Sequence, residues 1–232
     1  MPRILFVILL ILCGLLLVFG QPKKITQITK VAVKQPEKII IKKILPTEFE
    51  QNVVAELNKL RTNPEVYIKI LEDYLSKFNG KNVKISSKPE LVTEEGKTPV
   101  IEAIEFLKTV KSMGELKISN GLMLATAEHI SDLVKNDIIG HKGSAGDSPQ
   151  IRAERYGMWT YDLRENISYG AKIPQEVILN LLIDDGVPSR SHRKVLLDRK
   201  LTKIGIATGV NKLWDPICVL LLAGNFYDKS SK

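Results

Sequence analysis

Apolar residues recur at helical spacing along most of the chain after position 47. Thr47 and Glu50 have the spacing of a capping box at the start of the first such segment. Pro64 opens the next segment at a position that favours a helix start. Apolar positions that repeat every three or four residues are typical of amphipathic helices. We therefore predict helices over residues 48–63, 64–78, 98–112, 120–137, 149–156 and 175–184.

The period changes towards the C-terminus, where β-branched and apolar residues form short continuous runs. Ile204–Val210 and Ile217–Phe226 predict a hairpin with a longer loop, and Tyr161–Tyr169 predicts a third strand. Asn79–Lys97 is a polar insert rich in Gly, Pro, Ser and Lys, which predicts a loop without core residues. Helices before and between a few antiparallel strands indicate an α+β layered domain.

The first 20 residues have the organisation of a secretory signal. A short basic start precedes the apolar run Ile4–Phe19, and Val18 and Gly20 place small residues before a cleavage site at Gln21. The run is short for a membrane span, which needs about 20 residues. We predict a cleaved signal peptide over residues 1–20 and a secreted protein, with a membrane anchor formed by residues 4–20 as the alternative.

The positive charge of the chain is concentrated just after this segment. The formal net charge is +8, and residues 21–45 contain seven lysines against the single acid Glu37. We predict a Lys-rich extended arm or linker over residues 21–46, which either binds an anionic surface or is a solvated pro-segment. No basic and aromatic interleaving accompanies the lysines, so we expect no nucleic-acid partner.

Cys218 is the only cysteine after residue 20, so residues 21–232 cannot form an intrachain disulfide. It lies in an apolar run, which predicts a buried thiol in the core.

Three short polar motifs stand out against these helices and strands, and two of them contain a histidine. Histidine and glutamate side chains that converge from separate segments can bind a divalent metal or transfer protons. Ser189 and Ser191 flank one histidine, but no strand, elbow and helix pattern indicates a nucleophile. His129 lies in a predicted helix without an HExxH pattern, and we predict a surface or partly satisfied side chain. The three motifs are Gly140-His141-Lys142-Gly143, Arg164-Glu165-Asn166-Ile167 and Ser189-Arg190-Ser191-His192-Arg193.

These motifs resemble those of the SCP domain of the CAP superfamily, which includes cysteine-rich secretory, antigen 5 and pathogenesis-related proteins. The resemblance covers roughly Phe49 to Tyr227. Without disulfides and with short loops, the sequence is more similar to bacterial and protist members of the superfamily than to the animal venom or sperm proteins. Further matches occur in the same order at Asn58-Lys59-Leu60-Arg61, Ile204-Gly205-Ile206 and Ala223-Gly224-Asn225-Phe226. We therefore identify residues 47–228 as an SCP domain.

The resemblance implies an α-β-α sandwich with a small central antiparallel sheet and a cleft that holds two histidines and two acids. His141, Glu165 and His192 match three of these positions, and Asp184 is the preferred candidate for the second acid, with Asp185 as the alternative. Two imidazoles and one or two carboxylates suit zinc or a similar divalent ion.

The resemblance favours a secreted binding module that engages a lipid, sterol, glycan or protein ligand. A metal-dependent hydrolase that uses the same cleft is the first alternative, because a metal-bound water is a nucleophile. A structural or adhesive surface protein is the second.

Overall fold

The structure is a computed structural model, and it describes residues 43–84 and 90–229. The predicted signal segment, residues 1–20, and most of the predicted arm lie outside these residues and stay predictions. The helices of the described residues are α1 Glu48–Thr62, α2 Pro64–Ser76, α3 Thr98–Thr109, α4 Asn120–Asn136, α5 Pro149–Tyr156, α6 Pro174–Ile183 and α7 Ser191–Leu196. The strands are β1 Phe78–Asn79, β2 Asn82–Val83, β3 Leu91–Val92, β4 Lys117–Ile118, β5 Gly157–Tyr169, β6 Lys203–Gly209 and β7 Ile217–Asp228.

The first helix begins as its capping box predicts. The Glu50 N–H donates to Thr47 Oγ1 at 3.3 Å, and the Thr47 N–H donates to Glu50 Oε2 at 2.8 Å. Two otherwise unpaired donors at the helix start are thereby satisfied. All six predicted helices are present, and α5 begins and ends at the predicted residues, 149 and 156.

The main sheet has the strand order β4-β6-β7-β5. β7 pairs antiparallel with both β5 and β6, which confirms the predicted hairpin and third strand. β4 differs from the antiparallel expectation because it pairs parallel with β6 at the edge. This strand has two residues, so its pairing with β6 and not a periodic pattern defines it.

The central strand β7 is buried on both faces, which explains its continuous apolar sequence. Cys218, Leu220 and Leu222 pack into the large cluster formed with α1, α2, α3 and α6. Val219 and Leu221 pack on the opposite face with residues of α4 and α5. The domain is therefore the expected α-β-α sandwich, with the sheet between two helical layers.

Gly205 allows α4 to lie directly on β6. A Cβ atom at Gly205 would collide with the backbone carbonyl of Leu122 on α4. Close contact between this helix and the sheet therefore requires glycine at position 205.

The described parts of the polar insert, residues 79–84 and 90–97, contain strands that the composition did not predict, and the expectation that the insert adds no core residue is wrong. β1, β2 and β3 form a small antiparallel sheet of their own. Val83 on β2 is fully buried in the main hydrophobic cluster. Strands of two residues give no alternation in the sequence, so pattern analysis does not detect them.

A buried arginine, Arg61, connects distant segments through backbone carbonyls. Arg61 on α1 donates to the carbonyls of Gly114, Leu196, Asp198 and Leu201. Burial lowers the pKa of Arg61 to about 10, and the Asp198 carboxylate opposes this shift. Arg61 therefore fixes the end of α7, and with it the segment that carries His192.

Cys218 is buried, as predicted, and burial raises the pKa of its thiol. None of the helices in the described residues is both long enough and apolar enough to cross a membrane.

Candidate functional site

His141 lies in the loop between α4 and α5, and its ring is held by Glu165 of β5. His141 Nδ1 is 2.9 Å from Glu165 Oε1. The His141 side chain is 48% exposed, whereas that of Glu165 is only 1% exposed. Arg152 donates from Nη2 to Glu165 Oε2 at 2.8 Å, so the buried carboxylate has a buried cationic partner. Because a carboxylate only accepts hydrogen bonds, this contact predicts that the proton of a neutral His141 ring lies on Nδ1.

Arg152 also fixes the loop that carries His141. Its Nη1 donates to the carbonyls of His141 at 3.1 Å and Asp147 at 3.0 Å. Pattern analysis missed this role, because arginine on a short helix indicates a solvated face. Arginine is almost never fully buried unless it is paired, as it is here with Glu165.

His129 on α4 is fully buried next to the pair formed by His141 and Glu165, so the expected surface position is wrong. Its Nε2 lies 2.9 Å from the Gly140 carbonyl oxygen and 3.8 Å from Glu165 Oε1. Burial lowers the pKa of His129, and the nearby Glu165 carboxylate opposes this shift. Its Nδ1 has no partner among the described residues, in line with a partly satisfied side chain. The helical spacing of Ala125, His129 and Leu133 was the signal for burial.

His192 lies on α7 and is held by Asp184, where α6 ends. Asp184 has a left-handed backbone with φ 62° and caps α6. Its Oδ1 is 2.6 Å from His192 Nδ1, and its Oδ2 accepts the His192 N–H at 2.9 Å. The Asp184 side chain is 2% exposed and that of His192 is 24% exposed. The carboxylate therefore fixes both the ring and the start of α7.

Asp185, the alternative second acid, is directed to a different segment. Its two carboxylate oxygens accept the backbone N–H groups of Glu94 at 2.7 Å and Glu95 at 2.9 Å. Between the two adjacent aspartates, Asp184 is thus the residue that contacts a histidine.

Asn166 joins the two histidine segments through β5. Glu165 contacts the His141 ring, and the Asn166 side-chain amide donates to the His192 carbonyl at 3.1 Å. Adjacent residues of a strand point to opposite faces. Glu165 therefore positions the segment of His141, and Asn166 positions the segment of His192.

Both histidines line one cavity of about 470 Å³. Asp184, Tyr169 and Ser168 also line it. Ser168 Oγ is buried without a hydrogen-bond partner among the described residues.

Asp185 also lines this cavity, whereas the serines and arginines that flank His192 do not. Ser189 and Ser191 are exposed. Arg190 and Arg193, which lie on either side of His192, are buried. Several aromatic residues lie near Glu165 in the sequence. Within the described residues, Tyr169 is the one that lines this cavity.

The donor set fits an open metal site with two imidazole ligands better than a closed site with four ligands. Among the described residues, no group of three or more His, Cys, Asp or Glu side chains is arranged to hold a metal ion. Glu165 and Asp184 are each engaged by the Nδ1 atom of a histidine. Carboxylates that bind the second nitrogen of a metal-ligating histidine fix its tautomer and orientation.

The sandwich fold and the two carboxylate–histidine pairs define a CAP-type domain. The chain belongs to the cysteine-rich secretory protein (CAP) family, whose model matches residues 54–220.

Two solved structures are similar to the chain. An outer surface protein from Borrelia burgdorferi is 23% identical, with 62% of this chain and 98% of that chain covered and a TM-score of 0.42. An extracellular protein containing an SCP domain from Bacillus anthracis strain Ames is 18% identical, with a TM-score of 0.39. This match covers 56% of this chain and 38% of that chain. No curated protein matches the chain.

Proposed function

We propose that the chain is a secreted binding module whose cavity holds a divalent metal ion, best matched by zinc, through His141 and His192. The observation that carries the proposal is that a buried carboxylate engages the Nδ1 atom of each ring. In the described part of the chain, no hydrogen bond involves the Nε2 atom of either ring. Each imidazole is therefore oriented and keeps one nitrogen lone pair for a ligand in the cavity.

Zinc bound there would supply a positive charge to which an oxygen atom of a ligand binds. Water or the ligand would fill the remaining positions, because two protein nitrogens leave a tetrahedral ion open. The ligand is extracellular and is a lipid, a sterol, a glycan or a protein segment. Secretion rests on the signal segment over residues 1–20, and a mature N-terminus at Gln21 is the result that supports it.

Calorimetric titration of the purified protein with zinc chloride tests the metal site. We expect saturable binding by the wild type and loss of that signal in His141→Ala and in His192→Ala, because each variant removes one of two ligands. Lys142→Ala is the matched control, since Lys142 is exposed and adjacent to His141.

Two results contradict the proposal. One is a wild-type protein that shows no heat of zinc binding. The other is a histidine variant that stays folded by circular dichroism and binds zinc as the wild type does.

A further inference from the structure

Two lysines oppose each other at the end of the main sheet where β4 pairs with β6. Lys117 and Lys203 are direct partners in this parallel ladder, and the Lys117 N–H donates to the Thr202 carbonyl at 2.9 Å. Side chains at paired positions of neighbouring strands point to the same face, so the two positive charges repel each other. Within the described residues, no carboxylate forms an ion pair with either ammonium group.

The segments that carry these lysines, residues 111–118 and 198–203, lie side by side and are rich in cations. Arg199 Nη2 donates to the Ser112 carbonyl at 2.5 Å, which joins the two segments five residues before Lys117. Lys200 Nζ is 4.7 Å from the centre of the Tyr161 ring on β5. We call the surface formed by Lys111, Lys117, Tyr161, Arg199, Lys200 and Lys203 the basic end.

The carboxylates of the two segments do not cancel the charge of the basic end. The segments contain five basic residues, against the acids Glu115 and Asp198. Asp198 Oδ1 accepts the Lys200 N–H at 2.8 Å, and its Oδ2 accepts the Tyr161 hydroxyl at 3.3 Å. The excess of cations gives the surface a positive potential that attracts anions.

Apolar side chains are exposed at the same end of the sheet. Tyr161 is 57% exposed, and Ile118, which follows Lys117, is 41% exposed. Met158 on β5 and Tyr227 on β7 are direct cross-strand partners and are 69% and 58% exposed. Exposed apolar groups with polar neighbours mark surfaces that bind proteins or membranes.

The ring of Tyr161 is presented from an unusual backbone. Its φ is 76°, a left-handed conformation that bulky residues rarely adopt. The register of β5 against β7 shifts between Thr160 and Leu163, and Tyr161 lies in this irregularity. The bulge therefore directs an aromatic ring to the surface beside Lys200.

The Lys-rich arm joins the domain beside the basic end. The Ile44 N–H donates to Asn120 Oδ1 at 3.0 Å, and Asn120 follows Ile118 by two residues. Residues 21–42, which lie outside the described part of the chain, contain six lysines against the single acid Glu37. The chain thus adds further cations next to those of the domain.

We propose that the basic end, together with the arm, binds the surface of an anionic phospholipid bilayer. The cations attract the phosphate head groups, and Tyr161 and Met158 enter the interface between head groups and acyl chains. Lysine predominates over arginine, which favours attraction to a charged surface over paired recognition of one phosphate. No residue of the basic end lines the histidine cavity, so the inference stands independently of the metal site.

Co-sedimentation of residues 21–232, the predicted secreted form, with lipid vesicles tests the inference. We expect binding to vesicles of equal parts phosphatidylglycerol and phosphatidylcholine, and none to phosphatidylcholine alone. Salt at about 1 M should release the protein, because it shortens the Debye length to about 3 Å. Equal binding to both kinds of vesicle, or binding to neither, would contradict the inference.

Lysine variants separate the basic end from the arm. Lys117→Gln/Lys200→Gln should weaken binding to the anionic vesicles about 20-fold, since each lysine near such a surface contributes about fivefold. Lys69→Gln/Lys135→Gln is the matched control, because it removes two exposed lysines from α2 and α4 outside the basic end. Wild-type binding by Lys117→Gln/Lys200→Gln would show that the arm alone is responsible and would overturn the inference.

An aromatic variant tests the apolar part of the contact. Tyr161→Asn should weaken vesicle binding, and asparagine tolerates the left-handed backbone at this position. Leu213→Asn is the control, since Leu213 is 60% exposed in the loop at the opposite end of β6. Equal effects of the two variants, with both folded by circular dichroism, would exclude the basic end. A dimer that Tyr161→Asn dissociates, without vesicle binding by the wild type, would assign the surface to a second copy of the chain instead.

Discussion

At the scale of single residues, the site depends on which ring nitrogen each carboxylate engages. Glu165 and Asp184 both lie at Nδ1 of their histidines, at 2.9 Å and 2.6 Å. Because a buried carboxylate fixes the tautomer, the two acids act as positioning residues for His141 and His192. The shorter side chain of Asp184 is sufficient, since α6 ends at this residue and brings it to the ring.

The variant Glu165→Gln tests this positioning role. We expect zinc affinity to fall about 10–100-fold, as is typical when an outer-shell carboxylate is removed. Calorimetry measures the affinity, and Glu154→Gln, an exposed residue of α5, is the control. The variant should also lower the free energy of unfolding by about 3 kcal/mol, because Arg152 loses its buried counter-charge. A folded Glu165→Gln protein with wild-type zinc affinity would show that the carboxylate does not position the ring.

The contrast of short polar motifs with apolar helices and strands drew attention to His141, Glu165 and His192, whereas Asp184 was chosen only through the resemblance to the SCP domain. The sequence could not assign partners, since the contacts between His141 and Glu165 join segments 24 residues apart. Arg152 was missed for the same reason, because its partners become visible only in the folded chain.

At the scale of elements, Arg190 joins the polar insert and α3 to the loop that follows α6. It has a left-handed backbone with φ 51°. Its Nη1 and Nη2 atoms each lie 2.6 Å from a Glu95 carboxylate oxygen, and its Nε is 2.7 Å from Glu102 Oε2. Its Nη1 also donates to the Asp184 carbonyl at 3.0 Å. The arginine therefore stabilises the loop that presents Asp184 and His192.

This ion cluster makes stability depend on acid pH. Hydrogen bonding to Arg190 lowers the pKa of Glu95 from 4.5 to about 2, and it also lowers the pKa of Glu102. A lowered folded-state pKa stabilises the protein above the unfolded-state pKa, and this contribution is lost as the pH falls from about 4.5 towards 2. We expect the melting temperature to decrease over this range.

The variant Glu95→Gln should show a smaller decrease of melting temperature than the wild type, because it removes one titrating partner of Arg190. Glu94→Gln is the adjacent control and should keep the wild-type dependence. Equal slopes for wild type and Glu95→Gln would exclude the ion cluster as the cause. The cluster had no local sequence signal, since Glu95 and Arg190 are far apart in the chain and the insert around Glu95 has the composition of a loop.

At the scale of the whole molecule, hydrophobic patterning predicted a layered α+β domain, and the α-β-α order of its layers followed from the resemblance to the SCP domain. The change from helical spacing to continuous apolar runs located β6 and β7, and the double burial of β7 explains why its sequence does not alternate. The patterning did not predict β4, the strands of the insert, or α7. β4 and the strands of the insert have two residues each, and α7 has six. Segments this short show no periodic pattern, so contacts with distant segments decide their structure.

The central claim is that two carboxylates orient two imidazoles around one cavity. Long-range ¹H–¹⁵N spectra of the three histidines at mildly alkaline pH test it directly. We predict that His141 and His192 are protonated on Nδ1, and that His129, whose Nε2 donates to the Gly140 carbonyl, is protonated on Nε2. Zinc should shift the Nε2 signals of His141 and His192 and leave His129 unchanged. Protonation of His141 or His192 on Nε2, or zinc that moves neither signal, would contradict the account.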